Sequence, residues 1–209
     1  MSRAYYNEID PYAAQWLRNL IAAGHIAPGD VDERSIEDVT PNDLVGCTQC
    51  HFFAGIGIWS LALRKAGWPD NRPAWTGSCP CQPFSSAGKK TGFDDDRHLW
   101  PDFAWLIRQR RPAVLFGEQV TKSTDWLRLV RSDLATMDYA VGCAPIEAAS
   151  AGSFTPRDRI FFVAHTNGIG WEEGRLQAPR RHQTDEPGQT NFSGHASSVS
   201  FVRCFDGKL

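Results

Sequence analysis

Apolar and polar residues along this chain follow two periods in turn. Short apolar runs, "AYYNEID", "TQCHFFAG", "PAWTGSCP", "AVLFGEQV", "YAVGCAPIEA" and "RIFFVAHT", have the length and β-rich content of strands. Between them lie "DPYAAQWLRNLIAAG", "IGIWSLALRKAGW", "HLWPDFAWLIRQRR" and "STDWLRLVRSDLATMDY", where apolar residues recur at helical spacing. Asp10 can cap the first helix, Pro11 suits its first turn and Gly24 can end it, while Gly67 can close the second. Strands that alternate with helices predict an α/β fold, a mostly parallel, doubly wound sheet covered on both faces. The pattern fades at about Asn167. "NGIGWEEGRLQAPRRHQTDEPGQTNFSGHASS" is polar and rich in glycine, so the reading is one domain over 1–166 and a poorly packed tail over 167–209.

Composition narrows the class. A chain of 209 residues with 42% hydrophobic content can bury one substantial core. No run approaches the roughly 18 to 20 apolar residues of a membrane span, and "MSRAYYNEID" lacks the layout of a secretory signal, so a cytoplasmic protein is expected. Six cysteines without a dense framework fit a reducing compartment. A net charge of −2 argues against coating nucleic acid through a broad positive field. The charge is uneven, however. Residues 1–45 hold eight acids against three arginines, and the rest of the chain is net positive, so only the later part is suited to face phosphates.

Two stretches carry candidate chemistry. "FFAGIG", Phe52 to Gly57, is a Gly-x-Gly turn between a strand and a helix, where backbone can approach a ligand closely. Alone, such a turn is more often only a tight connection. Carboxylates at the tips of neighbouring strands strengthen the ligand reading, because in doubly wound sheets such acids accept from ribose hydroxyls. Glu8 in "NEID" fits that role, Asp30 in "PGDV" is suited to an adenine amino group, and Phe53 offers an aromatic face.

The second stretch is "GSCPCQPFSSAGKK". Zinc is disfavoured by the spacing of Cys79-Pro80-Cys81; Cys47-Thr-Gln-Cys50 has a suitable internal spacing but no second pair to match it. A redox pair would show Cys-x-x-Cys at a helix start. The third reading is a single nucleophile, held by Pro80 and Pro83 and favoured as thiolate by Lys89, Lys90 and Arg97, with Cys81 the better placed of the two.

"FFAGIG", "GSCPCQPFS", "FGEQV" and "TPRDRIFFVA", in that order, resemble the motifs of the DNA cytosine-5 methyltransferases, most closely a short, phage-associated branch. "NEID" and "GDV" are similar to the family's ribose-binding and adenine-binding segments. The resemblance implies a Rossmann-like domain that uses S-adenosyl-L-methionine to methylate C5 of cytosine in double-stranded DNA, with the target base flipped out. It further implies Cys81 as nucleophile, Glu118 at the pyrimidine edge and Arg157 and Arg159 as steadying groups. Cofactor contacts would fall at Phe53, Ala54, Gly55, Ile56 and Gly57, at Glu8 and Ile9, at Asp30 and Val31, and at Pro80; no metal is implied.

The chain also departs from that pattern. The ribose and adenine segments precede the glycine turn, a permuted order that joins the "FFAG" strand to the "CPCQ" strand through one helix. Ile58 stands where the family has another glycine and is expected to crowd the methionine end of the cofactor; Gln119 replaces an Asn and Thr155 a Gln. The family's recognition region and last two motifs have no counterpart before Leu209, which points to a truncated or split enzyme with a second chain supplying recognition. Two other readings stay open: an RNA substrate, and a folded remnant that binds cofactor or a partner without catalysis.

Overall fold

The computed structural model describes residues 3–80, 99–121, 123–155 and 157–166. Cys81, the loop after it and the polar tail therefore lie outside the described residues.

Each expected unit forms. Strand β1 (Ala4–Asn7) leads to helix α1 (Pro11–Ala22), β2 (Gly29–Asp32), β3 (Gln49–Phe52), α2 (Ile58–Lys65) and β4 (Ala74–Gly77). Helix α3 (Trp100–Arg110), β5 (Val114–Val120), α4 (Thr124–Thr136), β6 (Tyr139–Glu147) and β7 (Asp158–Thr166) complete the order. Asp10 caps α1 by accepting from the Ala13 amide at 2.8 Å, with Pro11 in the first turn. Gly67 follows α2 at φ 77° and bonds back to the Arg64 carbonyl, the left-handed ending that a glycine makes easy.

The seven strands run β2-β1-β3-β4-β5-β7-β6, with β7 antiparallel to both neighbours and the rest parallel. The sheet is mostly parallel, as the alternation of elements predicts, and β3 does lie beside β4 with only α2 between them in the chain. The "PGDV" stretch needs a correction. It begins β2 instead of ending it, and the strand runs on to Asp32. Short polar strands at a sheet edge carry little periodic signal, so this boundary was illegible in the sequence.

Helices α3 and α4 and the segment around Ile36–Leu44 cover one face, where Phe52, Trp75, Trp100, Phe103, Trp126 and Phe162 pack together. Each such side chain contributes roughly 1.5–3 kcal/mol on leaving water. Helix α1 covers part of the other face, where Leu17 and Ile26 pack with Tyr6 and Ala54.

Registers align one residue from each of five strands, Asn7, Phe52, Gly77, Gly117 and Phe162, into a row across the sheet. The two glycines in that row are a packing requirement. A Cβ at Gly77 would lie 2.3 Å from the Phe103 ring, and one at Gly117 would lie 2.1 Å from Phe162 and 2.9 Å from the Gly77 carbonyl oxygen. Backbone there is roofed directly by aromatic rings. Gly117→Ala is therefore expected to lower stability by about 1–3 kcal/mol, read as a shifted urea midpoint.

One buried polar group sits under α2. His51 is fully buried, stacks on Tyr6 and shares a 2.9 Å hydrogen bond with the Thr76 hydroxyl, while its Nε2 has no partner. Burial depresses its pKa from 6.5 to about 3. The unfolded chain thus takes up the proton first as pH falls, so stability is full above pH 6.5 and is lost between there and about pH 3. By pH 5 this one group should remove about 2 kcal/mol relative to pH 7.5, and His51→Gln should flatten that part of the profile in denaturant titrations.

Candidate active site at the carboxyl edge of the sheet

The row Asn7–Phe52–Gly77–Gly117 determines what stands at the carboxyl ends of the parallel strands. One residue further along each strand come Glu8, Phe53, Ser78 and Glu118. At a strand spacing of about 4.8 Å, that line spans on the order of 14 Å. Two carboxylates thus mark its ends, with the glycine turn and the cysteine stretch emerging between them.

At one end, backbone and side chain together hold the glycine turn. The Ala54 amide donates to the Asn7 carbonyl at 3.0 Å, and the Gly55 amide donates to Glu8 Oε2 at 2.6 Å. The other Glu8 oxygen accepts from the Asp10 amide at 3.0 Å. Gly55 and Gly57 adopt left-handed φ values of 54° and 79°, which glycine reaches without strain. A Cβ on Gly55 would meet nothing within 4 Å, so open space lies beside the turn. Phe53, also left-handed at φ 51°, is half-buried and turned edge-on to Phe103, with ring centroids 6.1 Å apart. Ala54 is buried, whereas Ile56 and Ile9 are exposed. Ile58 opens α2 and is 58% exposed.

Asp30 is not brought to this edge. It pairs in register with Tyr5, two positions before the row, and its carboxylate is bound by Arg3. Val31, beside it, packs against the smaller core. The acid level with Asn7 is Asp32, which accepts from the Tyr5 hydroxyl at 2.7 Å and from Arg34 at 2.6 Å. Strand direction decides this placement: a carboxylate early in a parallel strand cannot reach the far edge.

At the other end, Glu118 Oε1 lies 2.5 Å from Arg159 Nε. The pair is three-quarters or more buried, and Arg159 stands on β7 two positions before Phe161, the register partner of Glu118, and level with Val120. Burial raises the Glu118 pKa, opposed by the charges of Arg159 and Arg157 and by the hydrogen bond from Arg159. Arg157 itself is exposed. The site therefore offers a carboxyl whose pKa burial has raised, held in place by a guanidinium.

Between the two ends, "SCP" leaves β4. Trp59 donates to the Ser78 hydroxyl at 3.0 Å, and Gln119 Nε2 donates to the Cys79 carbonyl at 3.3 Å. Cys79 is buried in the main core, which pushes its thiol pKa up and leaves it inert as a nucleophile. Pro80 is exposed at the last described position before Cys81. Sequence reasoning flagged Gln119 as a departure from the family; the Trp59–Ser78 contact it missed, because neither residue carries a motif signal.

Residues 69–199 match the family model of the C-5 cytosine-specific DNA methylases, and the chain belongs to that family. It is 31% identical over 179 residues to the type II methyltransferase M.NgoMIV of Neisseria gonorrhoeae, covering 64% of this chain and 57% of that one. To M.HhaI of Haemophilus parahaemolyticus it is 29% identical over 106 residues, covering 48% of this chain and 32% of that one. A solved structure of Spodoptera frugiperda DNMT2 superposes with a TM-score of 0.50 at 14% identity, over 85% of this chain and 54% of that one. The fold is thus shared with a methyltransferase, and the chain spans little more than half the length of these relatives, or less. No helix among the described residues is long and apolar enough to cross a membrane.

Removing the Arg159 guanidinium should leave only the charge of Arg157 to oppose burial at Glu118. Arg159→Met is expected to move the Glu118 titration to higher pH, followed by carboxyl carbon NMR on glutamate-labelled protein.

Proposed function

We propose that residues 1–166 form the catalytic domain of a DNA cytosine-5 methyltransferase, with 167–209 the start of a region concerned with target recognition. The observation that supports it best is the Glu118–Arg159 pair, one position past the Gly77–Gly117 step and beside the strand end that leads into Cys81. Gln119 on the same strand binds the Cys79 carbonyl, so the residues before Cys81 and the Glu118 carboxyl share one support.

The glycine turn fits S-adenosyl-L-methionine. Open space lies beside Gly55, and Glu8 has carboxylate lone pairs left for ribose hydroxyls. Phe53, Ala54, Ile56 and Gly57 would line the turn side, with Ile9, Val31 and Pro80 near the nucleoside and the transferred group. Asp30 contributes only if it leaves Arg3. When bound, the cofactor supplies an electrophilic methyl group to C5.

The chain's own residues do the rest. The Cys81 thiolate adds to C6 of cytosine, and the charge that develops on the ring is met by a proton from Glu118 at N3. Burial of Glu118 favours the protonated form that this donation requires, while Arg159 orients it and Arg157 adds positive charge nearby. Loss of the C5 proton to a base, return of the N3 proton to Glu118 and expulsion of the thiolate from C6 then restore the ring and release Cys81. A stacked base cannot reach such a site, so the reading includes double-stranded DNA with its target cytosine flipped out. It also includes a second chain that supplies target recognition.

The reading is tested by incubating the protein with S-adenosyl-L-methionine and duplex DNA carrying 5-fluorocytosine, with and without a candidate partner chain. A denaturation-resistant adduct is expected for the native protein, none for Cys81→Ala, and formation slowed by about 100- to 10,000-fold in Glu118→Gln. An adduct on RNA alone would move the substrate assignment to RNA. No Cys81-dependent adduct on either nucleic acid, with ordinary cofactor binding by calorimetry, would mean a binding protein without this catalysis.

A further inference from the structure

One side chain near the site has no role in the chemistry above. Phe154, in the connection between β6 and β7, is 105% exposed; the next most exposed large apolar residue among those described, Tyr12, is at 78%. Exposure alone would not single it out, but its setting does. Strand β7 runs antiparallel to β5 and so begins where β5 ends, with Arg159 level with Val120. The connection from Ala148 to Arg157 therefore opens at the carboxyl edge, beside the Glu118–Arg159 pair. From Phe154 to Arg159 the chain can span at most about 18 Å, or about five base-pair steps.

The backbone around Phe154 is tied down while its ring stays in water. The Ala148 amide closes the foot of the connection by donating to the Arg157 carbonyl at 2.9 Å. A tight turn, Ala148–Ala151, ends at Gly152 with φ 90°, and the Ser153 amide donates back to the Ala148 carbonyl at 3.1 Å. On either side of Phe154 the Ser153 and Thr155 hydroxyls share a 2.7 Å hydrogen bond, and the Thr155 amide donates to the Ser153 hydroxyl oxygen at 3.2 Å. From Ala148 to Arg157 the sequence "AASAGSFTPR" holds none of the 24 acids of the chain, and its one charge is the exposed Arg157. Glu147 and Asp158 flank it, in register with each other at the foot of the hairpin. A loop of small residues that carries one ring and one guanidinium suits a polyanion whose bases offer flat faces.

We propose that Phe154 is a nucleic-acid contact that stacks on a base left bare when the target cytosine leaves the helix. The inference rests on the methyltransferase reading above and adds a residue to it. Extruding one base uncovers the faces of the bases beside and opposite it. A ring that already stands in water gives up only its own hydration to cover one of them, whereas a core ring would first have to leave its packing. Arg157, three positions further on, supplies a cation for the adjoining phosphate. Phe154 makes and breaks no bond, so it acts on binding and on the population of the extruded base.

The test titrates the full chain, by fluorescence anisotropy at low salt, with two labelled duplexes. One is fully paired; the other has an abasic site opposite a cytosine, which frees that base. The second should bind more tightly, and Phe154→Ala should weaken binding to it by about 5- to 150-fold, with Phe154→Trp close to the native protein. The slope of affinity against salt should stay unchanged in Phe154→Ala, because a stacking contact releases no counterions. With p-benzoylphenylalanine at position 154, ultraviolet light should crosslink the chain to the abasic duplex. Equal affinities of the native protein and Phe154→Ala, a loss of the same size on both duplexes, or a crosslink only to protein would overturn the proposal. If the native chain still forms its Cys81-dependent adduct in that case, the methyltransferase reading stands without this contact. A native chain that binds neither duplex and forms no adduct overturns both.

Discussion

The close stacking of aromatic rings on two adjacent glycines holds the centre of this molecule. Gly77 and Gly117 lie side by side on β4 and β5, and the rings of Phe103 and Phe162 occupy the space that Cβ atoms would take. Interiors pack at crystal-like density, so such a contact admits one register and resists its neighbours. That register carries Phe52 and Asn7 with it, and hence decides which residue of every central strand comes first past the sheet edge. Glu8, Phe53, Ser78 and Glu118 form a line for this reason alone.

Along that line the two carboxylates have opposite surroundings. Glu8 binds backbone amides at Asp10 and Gly55, so it serves as a brace for the glycine turn whatever else it receives. Glu118 is largely withdrawn from water and meets a guanidinium; desolvation and charge pull its titration in opposite directions, and desolvation prevails. The one is suited to holding a polar ligand and the other to giving up a proton. The amino edge of the same sheet is a different environment, with a cavity lined by Cys47, Arg110 and Arg111 and no part in the line of carboxylates.

Much of this was legible beforehand. The strand and helix order follows from apolar periodicity, which burial of a sheet between helices imposes on any sequence that adopts it. Glu118, Arg159 and the glycine turn stood out because their motifs require particular residue types at particular spacings. Asp30 was misplaced because motif spacing does not say how far along a strand a residue falls; Arg3 and the two further residues of β2 do. The role of Gly77 and Gly117 was invisible, since a glycine inside a strand looks like a weakness until its ring partner from a distant helix or strand is known.

By itself, the sequence determined the class of fold, the family and the types of side chain available for chemistry, since periodicity and motif identity are local properties of the chain. Only the tertiary structure decided which side chains share an edge and that Asp32, not Asp30, is level with Asn7. Those are matters of register and burial. They depend on contacts between residues tens of positions apart, and no local pattern encodes them.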